Sequence, residues 1–308
     1  MKLIFNFFIF PGFLFSAGVG LLASYIDRKV TARVQYRQGP PVLQPVYDII
    51  KLFGKELIVP YNVSVPMFLA APLLGLVSLV MVSTLLGNVV MSPKVTFLGD
   101  LIVVIYLLTV PSLAIILGGF TSANPLASLG AGREIKLILA YELPFILAII
   151  VPIIKSGGNI QLGAILSAQA ANGIFFLSWS GFLAFVVALL CIQAKLGLVP
   201  FDMAEAETEI MGGALIEYSG PALGIYKLTK AIALFVLPLF LIVVFLGGVA
   251  GTTWGIVNGI LKYVGILVAI TLIRNTNPRV RADQALRFFW GPMTVISVIA
   301  VVLALLGL

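Results

Sequence analysis

Five of the twelve carboxylates in this 308-residue chain fall within sixteen positions: Asp202, Glu205, Glu207, Glu209 and Glu217. The stretch opens with Pro200-Phe201-Asp202, closes on Glu217-Tyr218-Ser219-Gly220, and holds no Lys or Arg between its first and last acids. As a single helix it would place Asp202, Glu205 and Glu209 on one face, with Glu207 pointing away. Like charges packed together repel, which moves some of their pKa values up toward neutrality. Carboxylates that exchange protons near working pH are what a proton path requires. The competing reading is an ordinary solvated acidic loop, and the apolar companions Met203, Ile210, Met211, Ala214, Leu215 and Ile216 stand against it.

Two more charges lie where charge is expensive. Glu142 sits inside an apolar run, beside Tyr141 and just before Pro144. A carboxyl there is costly unless it faces a partner or water. Pro144 has no amide hydrogen and so frees a helix carbonyl that can hold an ordered water. Lys262 falls near the middle of another apolar run, too deep to reach the surface easily. Either residue could be a paired packing charge. The functional reading joins both, together with Tyr218, to the acid cluster as one polar path along the membrane midplane.

The elements that must position these groups are transmembrane helices. Apolar residues make up 61% of the chain and charged ones 10%, against about 25% charged in soluble domains. So little charge cannot solvate a water-facing surface, so the fold expected is an all-α, polytopic membrane bundle treated as one domain over residues 1–308. Eight stretches are long and apolar enough to span, near 3–26, 66–90, 98–120, 134–154, 174–194, 228–248, 252–273 and 287–307. The first lacks a basic leader and is read as a retained helix. Residues 211–227 are apolar but broken by Gly212, Gly213, Glu217, Gly220 and Pro221. They are read as a re-entrant or interfacial element, with a ninth span left open.

Basic residues set the orientation. With the N-terminus outside, the four inner loops hold fifteen: Arg28, Lys29, Arg33, Arg37, Lys51 and Lys55; Arg133 and Lys136; Lys195, Lys227 and Lys230; Arg274, Arg279, Arg281 and Arg287. The outer side keeps only Lys2, Lys94 and Lys155. Both termini are therefore expected outside, in a multi-pass protein of the cell membrane. The formal +7 charge reflects this asymmetry and not nucleic-acid binding. In the first inner loop, residues 42–57 form an amphipathic pattern. Val46, Ile49, Ile50, Phe53 and Leu57 share one face, and Gln44, Asp48, Lys51 and Lys55 the other. This is either a membrane-surface helix whose basic flanks fix topology or a docking platform, its arginines gripping a partner's carboxylates in bidentate fashion.

The chain contains no His and one Cys, Cys191. Haem, zinc and iron–sulfur sites depend largely on imidazoles or several thiolates, so no redox centre and no metal is expected here.

Read together, the loops resemble the H-subunit family of respiratory complex I and its relatives, the membrane-bound [NiFe] hydrogenases. The family's first-loop pattern is matched by Asp27, Arg28, Lys29, Ala32, Arg33, Gln35, Arg37, Gly39 and Pro40, with Asp27 where Glu is usual. Gln44-Pro45, Asp48, Lys51-Leu52-Phe53 and Lys55-Glu56 match the in-plane helix that follows. Pro200, Phe201, Asp202, Glu205, Ala206, Glu207, Glu209, Glu217, Tyr218, Ser219 and Gly220 match the acidic signature, and Arg281, Asp283, Gln284, Arg287 and Trp290 the last loop. One departure separates branches: Gly39-Pro40-Pro41 runs straight into Val42-Leu43-Gln44-Pro45, without the insertion that lines the quinone chamber in quinone-using members. The short form looks like the hydrogenase branch or a ferredoxin-dependent sulfur-reducing sibling.

The resemblance implies a membrane anchor and coupling subunit of an oxidoreductase complex. A peripheral [NiFe]-type large subunit and an iron–sulfur subunit would carry the redox centres, and neighbouring antiporter-like subunits would move H⁺ or Na⁺. Glu142, Asp202, Glu205, Glu207, Glu209, Glu217, Tyr218 and Lys262 would form the ion path. Arg28, Lys29, Arg33, Arg37, Asp48, Lys51, Arg281, Asp283 and Arg287 would dock the peripheral arm. A quinone-chamber subunit of complex I is the alternative. A stand-alone transporter is a third, disfavoured by the lack of a convincing internal repeat. The orientation is tested by cysteine labelling: thiols introduced at Ser92 or Gly158 are expected to react from outside the cell, and those at Gln38 or Asn277 from inside. Reversal at two sites overturns the eight-span topology.

Overall fold

A computed structural model describes residues 2–94 and 96–308, and all its regular structure is helical. In chain order the helices are α1 (Lys2–Phe8), α2 (Phe13–Val34), α3 (Gln44–Phe53), α4 (Val65–Met91), α5 (Asp100–Leu107), α6 (Val110–Thr121), α7 (Pro125–Lys155), α8 (Leu162–Asn172), α9 (Trp179–Lys195), α10 (Glu207–Ile210), α11 (Gly220–Phe245), α12 (Thr253–Thr276), α13 (Ala282–Phe288) and α14 (Thr294–Leu305). Among the described residues, seven segments are long and apolar enough to cross a membrane: Ile4–Val34, Val65–Met91, Asp100–Thr121, Pro125–Lys155, Gly220–Phe245, Thr253–Thr276 and Ala282–Leu305. The chain is a multi-pass membrane protein. Helix α9 occupies the remaining expected segment and is shorter at 17 residues, roughly 25 Å long.

Two groups of helices share one wall. Helices α2, α4, α6 and α11 pack together, with α12 against α2 and α11, while α7, α9 and α14 form the second group. The α6–α7 contact and the contacts of α11 with α7 and α9 join them. Helix α11 lies at the centre, 89% buried over its most apolar window, against 28–50% for the other long spans. Small residues permit this closeness. A Cβ at Gly20 would stand 2.4 Å from the Ala231 carbonyl oxygen, so α2 touches the α11 backbone there.

Several expectations change in detail. The segment 211–227, expected to form one re-entrant or interfacial element, is not continuous. It divides into a single turn at Gly213–Leu215 and the first two turns of α11, which starts at Gly220. The glycines at 212, 213 and 220 all adopt positive φ, so they bend the chain before the helix and do not interrupt it. The amphipathic helix is shorter than the pattern suggested, ending at Phe53. The third apolar stretch is broken into α5 and α6, because Pro111 has no amide hydrogen to give the Leu107 carbonyl. Asp202 and Glu205 are not on a helix: after α9 ends, Gly197 turns with φ +58 and the chain runs irregularly to Ala206.

This irregular acidic segment is fixed by close backbone contact. Ala214 N donates to Ala204 O at 3.1 Å, closing a loop that lies on α7. A Cβ at Gly130 of α7 would stand 2.5 Å from Ala214 N and 2.7 Å from Ala204 O, both main-chain atoms that cannot swing aside. Gly130→Ala is therefore expected to cost roughly 1–3 kcal/mol by overpacking and to loosen the acidic loop. Thermal unfolding in detergent checks this, with Gly132→Ala as control, since a Cβ there meets nothing within 4 Å.

Candidate functional site

At the end of the bundle that carries the basic loops, α6, α7, α9, α11 and the acidic segment converge on a narrow cavity. Its lining includes Ser112, Glu134, Lys195, Asp202, Glu205, Tyr226, Thr229 and Lys230. Space for water centres amounts to about 40 Å³, more than one water needs. The break at Pro111 puts Pro111 and Ser112 in its wall. Asp202 and Met203 also line an outer vestibule of about 430 Å³, shared with Arg133, Glu209, Arg279, Arg281 and Asp283. Asp202 thus stands between the open vestibule and the inner cavity.

Each described acid of the cluster meets a partner supplied by another element. Asp202 pairs with Arg279 at 3.1 Å, Glu205 with Lys230 of α11 at 2.5 Å, and Glu209 with Arg133 of α7 at 2.5 Å. Glu217 accepts from Asn124 Nδ2 at 2.5 Å, and the other end of that amide caps α7 by accepting from Leu126 N at 2.9 Å. The side chain of Glu207 lies outside the described residues. Deeper in the bundle, Glu142 pairs with Lys195 at 3.1 Å. The Lys195 side chain is only 1% exposed, and its ammonium sits 4.7 Å from the ring centroids of both Tyr141 and Phe145, a cation–π arrangement. Lys195 and Lys230 are thus not loop anchors: each sits on a helix and neutralises a carboxylate.

The acids are not equivalent. Burial pushes the Asp202 carboxyl up from its ordinary range, and the neighbouring Glu205 adds to this against the pull of Lys230 and Arg279. Burial would do the same to Glu205. The charge and hydrogen bond of Lys230, helped by Lys227, outweigh it and hold that carboxyl below its ordinary value. Mutual repulsion is therefore not what chiefly sets the cluster. One acid is poised to take a proton, and the next is held as a carboxylate.

Other expected site residues lie elsewhere. Tyr218 is 3% exposed, stacks on Phe68 with centroids 4.1 Å apart and donates to the Phe68 carbonyl at 3.0 Å. Its hydroxyl is committed to joining α4 to the start of α11, and burial raises its pKa. Lys262 donates to the carbonyls of Leu246 at 2.6 Å and Gly248 at 3.5 Å. It caps the far end of α11 and does not line the acidic cavity. In the first loop, Arg28 bonds Asp48 of α3 at 2.7 Å, which holds that carboxyl low, while Asp27 is buried and paired with Arg274 at 2.6 Å. Lys29 is half-buried; Arg33, Arg37, Lys51, Arg281, Asp283 and Arg287 are exposed.

Sequence reasoning missed Lys195 and Lys230 as members of this site, and it missed one acid. Glu134 of α7 is 3% exposed and lines the inner cavity beside Ser112. The available signal was its spacing: Tyr141 and Glu142 follow at i+7 and i+8, two turns along the same side of the helix.

A multi-pass helical bundle enclosing a track of paired charges defines the class: a polytopic membrane protein with a polar path in its interior. The chain belongs to the NADH dehydrogenase family, whose model matches residues 7–305. It is 31% identical over 299 residues to the H subunit of NADH-quinone oxidoreductase from Geobacillus kaustophilus, covering 92% of this chain and 87% of the relative. The corresponding NADH-quinone oxidoreductase chain of Bacillus cereus is 30% identical over 312 residues, covering 95% and 92%. Among solved structures it is similar to a chain of the membrane-bound sulfane sulfur reductase, an archaeal respiratory membrane complex, with a TM-score of 0.87 and 30% identity over 99% of this chain and 100% of that one. The chain is thus homologous to the membrane subunits of complex I-like oxidoreductases.

The unequal acids give expectations of different size on neutralisation. Glu205→Gln leaves Lys230 without its carboxylate and is expected to destabilise the bundle by about 2 kcal/mol, below the ~3–5 of a sealed pair because Lys230 stays partly exposed. Asp202→Asn is expected to change stability by less than about 1 kcal/mol. The low Glu205 pKa works in the same direction: its contribution is present above the ordinary carboxylate range and fades as pH falls through its depressed value. Thermal unfolding against pH checks both.

Proposed function

We propose that this chain is the anchor and ion-coupling subunit of a membrane-bound complex in the hydrogenase and sulfur-reducing branch of the family. Electron transfer in a peripheral [NiFe] and iron–sulfur arm drives H⁺ or Na⁺ movement through adjoining antiporter-like subunits. The single observation that carries this is the continuity of the charge track. Asp202 opens on the vestibule, Glu205 and Lys230 lie behind it on the shared cavity, and Lys195 on the same cavity hands the track to Glu142. Two features support the branch. The first loop lacks the insertion of quinone-using members, and the chain covers the whole length of the sulfur reductase chain it matches. The exposed arginines 33, 37, 281 and 287 give the vestibule end a basic face suited to carboxylates of a docked arm.

A second reading, a quinone chamber, has one observation in its favour. A cavity of about 320 Å³ lies between α2, α3, α11 and α12, lined in part by Pro45, Ile49 and Leu52. Its charged lining of Asp27, Arg28, Asp48, Lys227, Lys230 and Arg274 suits water better than an isoprenoid tail.

Reconstituting the whole complex in vesicles separates the readings. Glu142→Gln keeps shape but removes the charge facing Lys195. Because it leaves the sealed Lys195 unpaired, it is expected to destabilise the bundle more than Glu205→Gln does. In the complex that still assembles with its metal content intact, it is expected to lower ion-coupled turnover roughly tenfold or more, as loss of a poised acid–base group does. Undiminished coupling in this variant refutes the path, and inhibition by short-chain quinone analogues favours the chamber.

A further inference from the structure

The inner cavity is lined by two ion-paired lysines, by Asp202, whose partner Arg279 lies on the outer vestibule, and by one acid that belongs to no ion pair among the described residues. Lys230 is taken by Glu205 and Lys195 by Glu142. Glu134, on the same cavity, forms no ion pair of its own among the described residues, although both lysines lie close enough to feel its charge. Counting each lining group with its partner, the four acids Glu134, Glu142, Glu205 and Asp202 face the three bases Lys195, Lys230 and Arg279. The fully ionised set therefore carries one net negative charge, and the set with Glu134 protonated carries none. The cost of leaving an uncompensated charge in a bundle core makes this the group whose proton is most easily exchanged.

Position supports the same role. Glu134 is 3% exposed, and Tyr141 and Glu142 lie two turns further into the bundle on the same helix, about 11–12 Å along the axis. The Tyr141 hydroxyl is sealed from solvent, and Ser112 lies between it and Glu134, within reach of both. On the outer side, Glu205 lines the cavity, and its Oε1 is likewise sealed without a protein partner. Two sealed polar atoms, the Tyr141 hydroxyl and Glu205 Oε1, therefore accompany Glu134 along the track, and neither faces bulk water. The other titratable groups around it are Cys191 on α9, Tyr226 on α11 and Asp202 on the loop.

We propose that Glu134 is the proton-exchanging relay of the buried track, joining the Lys230–Glu205 pair to the Lys195–Glu142 pair. A proton leaving the Asp202 carboxyl converts it to a carboxylate held by Arg279 and converts Glu134 to the neutral acid. Lys230 is then held by Glu205 alone, and release of the proton inward toward Glu142 weakens the Lys195–Glu142 attraction. Glu134 acts on ion movement through these pairs and is a positioning and relay residue. The inference rests on the coupling role assigned to the track and extends it to a residue outside the acidic loop.

The test uses the intact complex in vesicles, measuring ions moved per turnover for Glu134→Gln, Glu134→Asp, Glu142→Gln and Glu205→Gln. Glu134→Gln is expected to lower coupling at least tenfold and to remove a protonated-carboxyl band from redox-induced infrared difference spectra. Glu134→Asp restores coupling with a displaced pH profile, which a merely structural role would not move. Should the Gln variant fail to assemble, the Asp variant decides alone: an undisplaced profile overturns the relay. Parent-level coupling in Glu134→Gln, with coupling lost in Glu142→Gln and Glu205→Gln, overturns the relay and leaves the track standing. Parent-level coupling in all of them overturns both.

Discussion

The Lys230–Glu205 ion pair is the interaction around which the polar end of this bundle is arranged. Helix α11 is the most enclosed span, and a lysine on it faces a desolvation cost that only an opposite charge at close range offsets. The residue that pairs with this lysine is not on a neighbouring helix. It comes from an irregular segment that must be threaded into the bundle and held there. Gly130 and Gly213 provide the space, the Ala214–Ala204 hydrogen bond closes the loop, and the break at Pro111 leaves room on the opposite wall. A backbone run free of helix in an apolar setting is tolerated where it lines a hydrated cavity.

Pairing turns a run of similar carboxylates into a graded series. Glu205 is held as an anion by Lys230, whereas Asp202, pushed up by burial, accepts a proton more readily. Glu142 is held by a lysine that is sealed against two aromatic rings, while its own side chain stays 24% exposed. Alternating fixed and exchangeable groups pass a disturbance along better than equivalent ones, because a change at one site shifts the balance at its neighbour.

The same end of the molecule presents a different kind of charge on its surface. Arg28 and Asp48 are both about 40% exposed, so their contact contributes little to stability. Its use is to set α3 against the end of α2. Around it Arg33, Arg37 and Lys51 project without burial, and Tyr36 and Tyr61 are almost fully exposed. Aromatic and arginine side chains displayed together are the composition of a protein interface.

Much of this architecture was readable from the one-dimensional pattern, because hydropathy and helical periodicity depend only on local sequence. The apolar stretches, the amphipathic helix near 42–57, the unusual density of acids at 202–217 and the lack of redox ligands all follow from residue types and short-range spacing. The family match rests on the same ordered residues. Local sequence could not decide which charges meet. Glu142 and Lys195 are 53 positions apart, Arg133 and Glu209 are 76 apart, and Asp27 and Arg274 are 247 apart. Lys195 and Lys230 read as membrane-edge cations because nothing nearby in sequence requires them to turn inward. Lys262 read as part of the path until the end of α11 claimed its ammonium. Glu134, between Arg133 and Ile135 at the start of a long helix, looks like an ordinary boundary acid. Only the packing of α6, α9 and α11 around it removes it from water, and burial is what gives a carboxylate in that position chemical consequence.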